Sequence, residues 1–400
     1  MQKAAYGLRD APLLWHLKAI EVLKELGYRA MLHDNCTFTL REQTTLELQA
    51  ILTLHVDDLL MASTEAVALQ LQTQLSKAFG TLTLDRADKG FRHFGVDVLQ
   101  DLKLNRIISS QEKYVADLKP IEIPARCLKT AECPADKTTE YRALVSAIAW
   151  VGVTSPIALA SASLLQGCLP KITFGDIVKL NNNLEQLRTC YLPLIYEHIP
   201  LPHRILNVGD SSFGNSDKYS QNGYMNFLCH AGEEGICGKF VALDFKSNKS
   251  KRVAASTMHA EALAKIAGIE AATYLQTFFL EIAAPSLTSL QLLTPESQPE
   301  LIPICSVTDC RDLHEVLIAP AQASISNKHL SLYIAAIREF QTTQRIQAFI
   351  WIDTRDMISN ALTKLNDDGS ATLIEIQDVW KTFEWKLKHP YQWQRTWCNE

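Results

Sequence analysis

The sequence predicts a mixed α/β chain of two or three compact domains, and three observations lead there. The chain has 400 residues, 47% of them hydrophobic, enough apolar surface for more than one core. Proline clusters at "KPIEIP" (119–124), "LPLIYEHIPLP" (192–202) and "LTPESQPELIP" (293–303) punctuate it. Proline continues neither a helix nor a central strand, so these stretches are connections. From residue 203 the rhythm changes, and strand-like runs begin to alternate with helical ones.

Taken in order, the apolar run "ILTLHVDDLLMAS" (51–63) holds two adjacent acids, Asp57 and Asp58. It reads as a hairpin with an Asp-Asp turn, or as a pair of metal ligands. "STEAVALQLQTQLSKAF" (63–79) has helical spacing of apolar residues, with Ser63 or Thr64 as its cap. Residues 141–166 read as two helices broken near Pro156, and 176–194 as another helix. Then come "HRILNVGDSSF" (203–213), "NGYMNFLC" (222–229) and "KFVALDFKS" (239–247) as strands, and 255–282 as a long helix. "IPICSVTD" (302–309) is a strand, 330–343 a helix and "RIQAFIWIDT" (345–354) a final strand. Together they make one mixed domain of about 160 residues, a size that suits one core. The tail 379–397 carries four of the seven Trp. It reads as an amphipathic packing helix; a stacking surface for single strands is the alternative.

Composition excludes several classes. No apolar run is long enough for a membrane span. The N-terminus lacks the layout of a signal peptide, and the ten Cys form no CxxC pair. An intracellular setting, cytoplasm or nucleus, is the expectation. His33 with Cys36, and Cys229 with His230 and Cys237, lack zinc-site spacing and read as incidental. The net charge of −5 gives no global basic signature. The best local basic patch is Lys246, Lys249, Lys251 and Arg252, a phosphate contact or simply a solvated loop.

Three acids stand at informative places. Asp210 ends the first strand of the later domain, Glu261 lies near the start of the long helix, and Asp309 ends a later strand. A strand-end Asp, a helix-start Glu and a second strand-end Asp can meet at one sheet edge. Each also has a plain reading: a turn residue, a favourable charge at a helix N-terminus, the start of a turn. His259 reads as an exposed helix residue, and His314 or His329 as a proton shuttle that nothing in the sequence orients.

The order of motifs carries a resemblance. "KAAYGLRDAPLLW" (3–15), "HVDD", "LSKAFGTLTLDRADKGFRHFGVDVLQ", "ISSQEKYVADL" and "EYRALVSAIAWVGVTSP" resemble, in that order, the reverse transcriptase and connection of copia-like LTR retrotransposons. "LNVGDSSF", "SQNGYMNFL", "LDFKSNKSKRVAAST", "STMHAEALA", "SVTD" and "NKHLSLYIAAIRE" resemble that family's RNase H segment.

The resemblance implies a reverse-transcriptase palm and thumb remnant over 1–125 and a helical connection over 126–200. An RNase H-like mixed-sheet domain over 201–365 and a tail over 366–400 complete it. It implies Asp210, Glu261 and Asp309 as catalytic metal ligands for Mg²⁺ or Mn²⁺, with an RNA–DNA hybrid or other nucleic acid as partner. The family's fourth acid lies in A-D-x-L-T-K; here "SNALTKL" puts Asn360 in its place, a weaker, neutral ligand. Asp356, one helical turn away, is a candidate substitute. Polymerase chemistry in the family needs a further Asp upstream of the Y-G-L-K-Q-A-P segment. This chain begins at that segment, so Asp57 and Asp58 are expected to be vestigial. The alternative is a non-catalytic nucleic-acid-binding fragment, or a decayed transposon reading frame without activity.

Overall fold

The computed structural model describes residues 10–56, 58–216, 219–232, 236, 238–294, 298–320, 325–372 and 374–395. It is mixed α/β with several sheets, and the chain divides into two compact units.

The first unit comprises residues 1–95 and 277–300. Its elements are α1 (Ala11–Glu25), β1 (Arg29–Ala30), β2 (Thr37–Arg41), β3 (Leu48–His55), β4 (Asp58–Ser63), α2 (Glu65–Phe79) and β5 (Phe91–His93). Strands β1-β2-β3-β4 form an antiparallel meander. Alternation on β3 turns Ala50, Leu52 and Leu54 inward against Leu23 of α1 and Leu71 and Leu75 of α2. The β3–β4 hairpin closes at the pair His55 and Asp58, which is the turn reading of that run. Val56 in the turn has φ of 52°, a costly conformation for a β-branched residue. Asp57 lies outside the described residues.

The second unit comprises residues 96–276 and 301–400. It opens with β6 (Val96–Asp101), β7 (Arg106–Ser110), α3 (Glu112–Asp117), α4 (Ala135–Val151), α5 (Pro156–Gln166), α6 (Phe174–Cys190) and β8 (Leu194–Glu197). The break between α4 and α5 falls where Pro156 takes the first helical position and Ser155 caps it by accepting the Ala158 N–H. Then follow β9 (His203–Ser216), β10 (Tyr219–His230), β11 (Phe240–Lys249), α7 (Thr257–Ala283), α8 (Ser289–Leu293, in the first unit), β12 (Ile304–Thr308), α9 (Arg311–Ile318), α10 (Lys328–Thr342), β13 (Ile346–Ile352), α11 (Ile374–Thr382) and β14 (Tyr391–Arg395).

The central sheet has the order β11-β10-β9-β12-β13-β14. The first three strands are antiparallel, β12 runs parallel to both β9 and β13, and β14 is antiparallel to β13. Leu206, Val208, Met225, Phe227 and Ile350 join the helices α4, α5 and α6 in one core. Toward α7, a buried polar set ties strands together: Asn207 Nδ2 donates to Asn226 Oδ1 (2.9 Å) and Ser306 Oγ to Asn207 Oδ1 (3.0 Å). Gly268 lets α7 approach closely, since a Cβ there would lie 2.5 Å from Asn207 Nδ2 and 3.0 Å from Tyr224 Cβ.

Some expectations are corrected. Asp210 does not end its strand, because the β9–β10 ladder continues past its partner Gly223 out to Ser216 and Tyr219. The run after Asp309 is the helix α9, not only a turn, with Leu313 and Leu317 buried one turn apart. The tail is no single helix: α11 ends at Thr382, and β14 adds to the sheet. Its Trp380 and Trp385 are buried, which suits packing and leaves those rings no stacking surface. Among the described residues no helix is long and apolar enough to cross a membrane.

Candidate metal centre

Asp210 on β9, Glu261 in the second turn of α7 and Asp309 just past the end of β12 come together. Each offers a carboxylate oxygen within 4.8 Å of the others, and the three could hold one metal ion. Among the described residues this is the single group of three such side chains. The topology explains the convergence. Parallel β9 and β12 bring their acids to the same end of the sheet, and α7 delivers Glu261 across it.

Each acid is held by a donor from a neighbouring segment. The Ser211 N–H donates to Glu261 Oε1 at 3.2 Å. The Thr363 hydroxyl donates to Asp210 Oδ2, and the Thr354 hydroxyl to Asp309 Oδ2. Glu261 Oε2 is buried and has no hydrogen-bond partner. Glu261 is only 4% exposed and Asp210 2%. Burial, reinforced by Asp210 and Asp309, pushes the Glu261 carboxyl well above its usual range. Burial and then Asp309 likewise raise Asp210, opposed by Lys364 and the Thr363 hydroxyl. A buried carboxylate oxygen without a donor, beside two more acids, is a hard-oxygen donor set. Those residues fit a divalent cation such as Mg²⁺ or Mn²⁺.

Asn360 stays close in sequence to Thr363, but its polar atoms are taken. Its Nδ2 donates to the Thr354 carbonyl at 3.0 Å, and its Oδ1 accepts from Lys364 Nζ at 2.7 Å. Asp356 stands outside the group of three acids. The segment forms two short 3-10 turns, Thr354–Asp356 and Ile358–Leu362, in place of a continuous helix. Asp356 Oδ2 instead accepts the backbone N–H groups of Lys388 and His389, at 3.0 and 2.9 Å.

Asp58 is exposed at its hairpin and belongs to no triad of potential ligands among the described residues. His259 is buried, against expectation: its Nδ1 accepts the Ala255 N–H at 3.2 Å, and Ser256 Oγ accepts the His259 N–H. His314 is fully buried, and burial lowers its pKa, which removes it as a shuttle open to solvent; His329 is exposed at the start of α10. Neither His33 with Cys36 nor Cys229 with His230 forms a ligand set among the described residues, and Cys237 lies outside them.

Lys246 and Lys249 sit on strand β11, and Lys251 and Arg252 in the turn beyond it, all four exposed. Lys249 Nζ lies 4.8 Å from the Tyr219 ring centroid, and the Arg252 guanidinium 5.3 Å from that of Tyr333.

Sequence reasoning passed over Lys265. It lies one turn after Glu261 on α7, is 0% exposed, and donates to the Val307 carbonyl. Its signal was a lone cation in the apolar run "ALAKIAGI". Thr363, also missed, lay within the motif that drew attention to Asn360.

No protein-family model matches the chain. The chain is similar to the retrovirus-related Pol polyprotein from transposon TNT 1-94 of Nicotiana tabacum, 28% identical over 116 residues. That match covers 29% of this chain and 8% of that protein. It is also similar to the retrovirus-related Pol polyprotein from transposon RE1 of Arabidopsis thaliana. There it is 23% identical over 277 residues, 65% of this chain and 18% of that protein. The matched stretches are thus a small part of either relative's length. Across much of its length, then, the chain resembles the Pol polyproteins of plant retrovirus-related transposons, the likeness that the order of its motifs implies.

Proposed function

We propose that residues 201–365 form an RNase H-like domain that hydrolyses the RNA strand of an RNA–DNA hybrid with Mg²⁺ or Mn²⁺. One observation carries the reading: Asp210, Glu261 and Asp309 arrive from three separate elements within 4.8 Å of one another. The antiparallel-then-parallel strand order around them and the likeness to transposon Pol polyproteins support it.

Asp210, Glu261 and Asp309 would hold the cation, and the cation would supply Lewis-acid activation of water and charge for the leaving 3′ oxygen. The chain's own residues prepare that site. Ser211, Thr354 and Thr363 each fix one carboxylate oxygen, so the triad need not reorganise to bind. Burial of Asp210 and Glu261 keeps bulk water from competing with the ligands. Lys246, Lys249, Lys251 and Arg252 offer exposed charge for phosphates, while 2′-hydroxyls would mark the RNA strand. Residues 1–125 and 126–200 read as polymerase palm and connection. We assign no nucleotidyl transfer to them: Asp58 stands in no group of three potential ligands among the described residues, and Asp57 lies outside them. Mg²⁺-dependent primer extension would overturn that assignment.

A labelled RNA–DNA hybrid incubated with Mg²⁺ or Mn²⁺ tests the main reading. Cleavage of the RNA strand, abolished by Asp309→Asn, is the expected result. Binding of the hybrid without cleavage would favour a second reading, a non-catalytic nucleic-acid-binding fragment. The observation behind that second reading is Asn360, whose amide is tied to Thr354 and Lys364 where the family has a fourth acid.

A further inference from the structure

The triad has a positive neighbour built into the fold. Lys265 follows Glu261 by four residues on α7, so both side chains rise from the same face. Its Nζ donates to the carbonyl of Val307, two residues before Asp309. The same Nζ lies 3.6 Å from where a Cβ on Gly209, the neighbour of Asp210, would stand. The ammonium therefore sits within one or two residues of an acid on each of β9 and β12, and one turn below the acid on α7. It is 0% exposed and makes no direct ion pair among the described residues. A buried cation with no carboxylate in contact has one compensating feature nearby, the collective charge of the triad.

We propose that Lys265 takes the electrostatic place of a second cation, so that the triad binds a single divalent ion. This rests on the reading of the triad as a cation site, which the unpartnered, buried Glu261 Oε2 supports independently. Charge balance carries the number. The three carboxylates bear at most three negative charges, and Lys265 and Lys364, whose charges both act on the triad, supply two positive, so one divalent ion already outweighs the remainder. A second divalent ion would leave the buried cluster with an excess of positive charge in a poorly screened interior. Asn360 fits the same count. A cluster without its fourth acid has no anion to hold another ion, and the Asn360 carbonyl oxygen is occupied by Lys364.

All three acids act to hold the proton on Lys265, against burial, which pushes it down to about 8.

The test counts ions and needs no hydrolysis. Mn²⁺ binding to the full chain is followed by the loss of the free-ion electron paramagnetic signal, with Asp309→Asn as the site control. The wild-type chain is expected to take up one equivalent that the control lacks. Lys265→Met should bind that equivalent at least tenfold more tightly, or take a second. Two equivalents at the wild-type triad, none at all, or a Lys265→Met chain identical to wild type would each overturn the proposal. If Lys265→Met does not fold by circular dichroism, the wild-type count decides alone. One Mn²⁺ bound without any RNA cleavage would sink the proposed hydrolysis and leave this inference standing.

Discussion

Three carboxylates within 4.8 Å, two of them buried, cost stability until positive charge arrives. Glu261→Gln keeps the volume and removes the charge. It is expected to raise the melting temperature of the metal-free protein at pH 7 by a few degrees, for a gain of about 1 kcal/mol, while Mn²⁺ no longer stabilises it. The pH dependence follows from the direction of the shifts. Both Asp210 and Glu261 are raised, so the folded state binds more protons than the unfolded one just above pH 4. Their contribution is therefore fully present at low pH and is lost as pH rises through the folded values. Cation binding reverses that loss, so the melting shift on adding Mn²⁺ should be larger at pH 7.5 than at pH 5. Equal shifts at both values would refute the linkage. Strand, helix and strand position made the three acids legible in the sequence. Lys265 and Thr363 were not, because no periodicity or motif marks a polar group that folding will bury.

Helix α7 reaches the sheet through Gly268, and the seat of Glu261 depends on that approach. Gly268→Ala would press a methyl group against Asn207 and Tyr224. A loss of about 1–3 kcal/mol is expected by analogy with overpacked cores, read as a lower denaturation midpoint. An unchanged midpoint would mean that the helix can lift without consequence. Helices and strands with a clear apolar rhythm were legible in the sequence, as Pro156 and the spacing of Leu71 and Leu75 illustrate. The segment 354–362 was not. Helical spacing suggested that Asp356 could stand in for a fourth acid, but Asp356 and Asn360 lie in two separate short 3-10 turns. Its carboxylate was claimed by backbone from the tail, a long-range contact that local spacing cannot carry. The same limit hid β14, whose strand character comes from pairing with β13.

At the scale of the whole molecule, charge sets how nucleic acid could be held. The net charge is −5, and Lys246, Lys249, Lys251 and Arg252 form an exposed local set of cations. If those four make the phosphate contacts, the slope of log affinity against log salt should be no steeper than about −4. Lys246→Gln should flatten it by about 1. A steeper wild-type slope would point to cations elsewhere. The two compact units were only partly legible, because residues 277–300 join the N-terminal unit across a long stretch of sequence. The C-terminal strand has a protective meaning. β14 covers the backbone of β13, whose Ile346, Phe349, Ile350 and Ile352 are buried. A chain shortened at residue 389 would leave that apolar strand with a row of open amide and carbonyl groups, a template for other chains to pair with. Light scattering should find it self-associating where the full chain does not. Any trimming of this tail for convenience would then trade a few residues for an aggregation-prone edge.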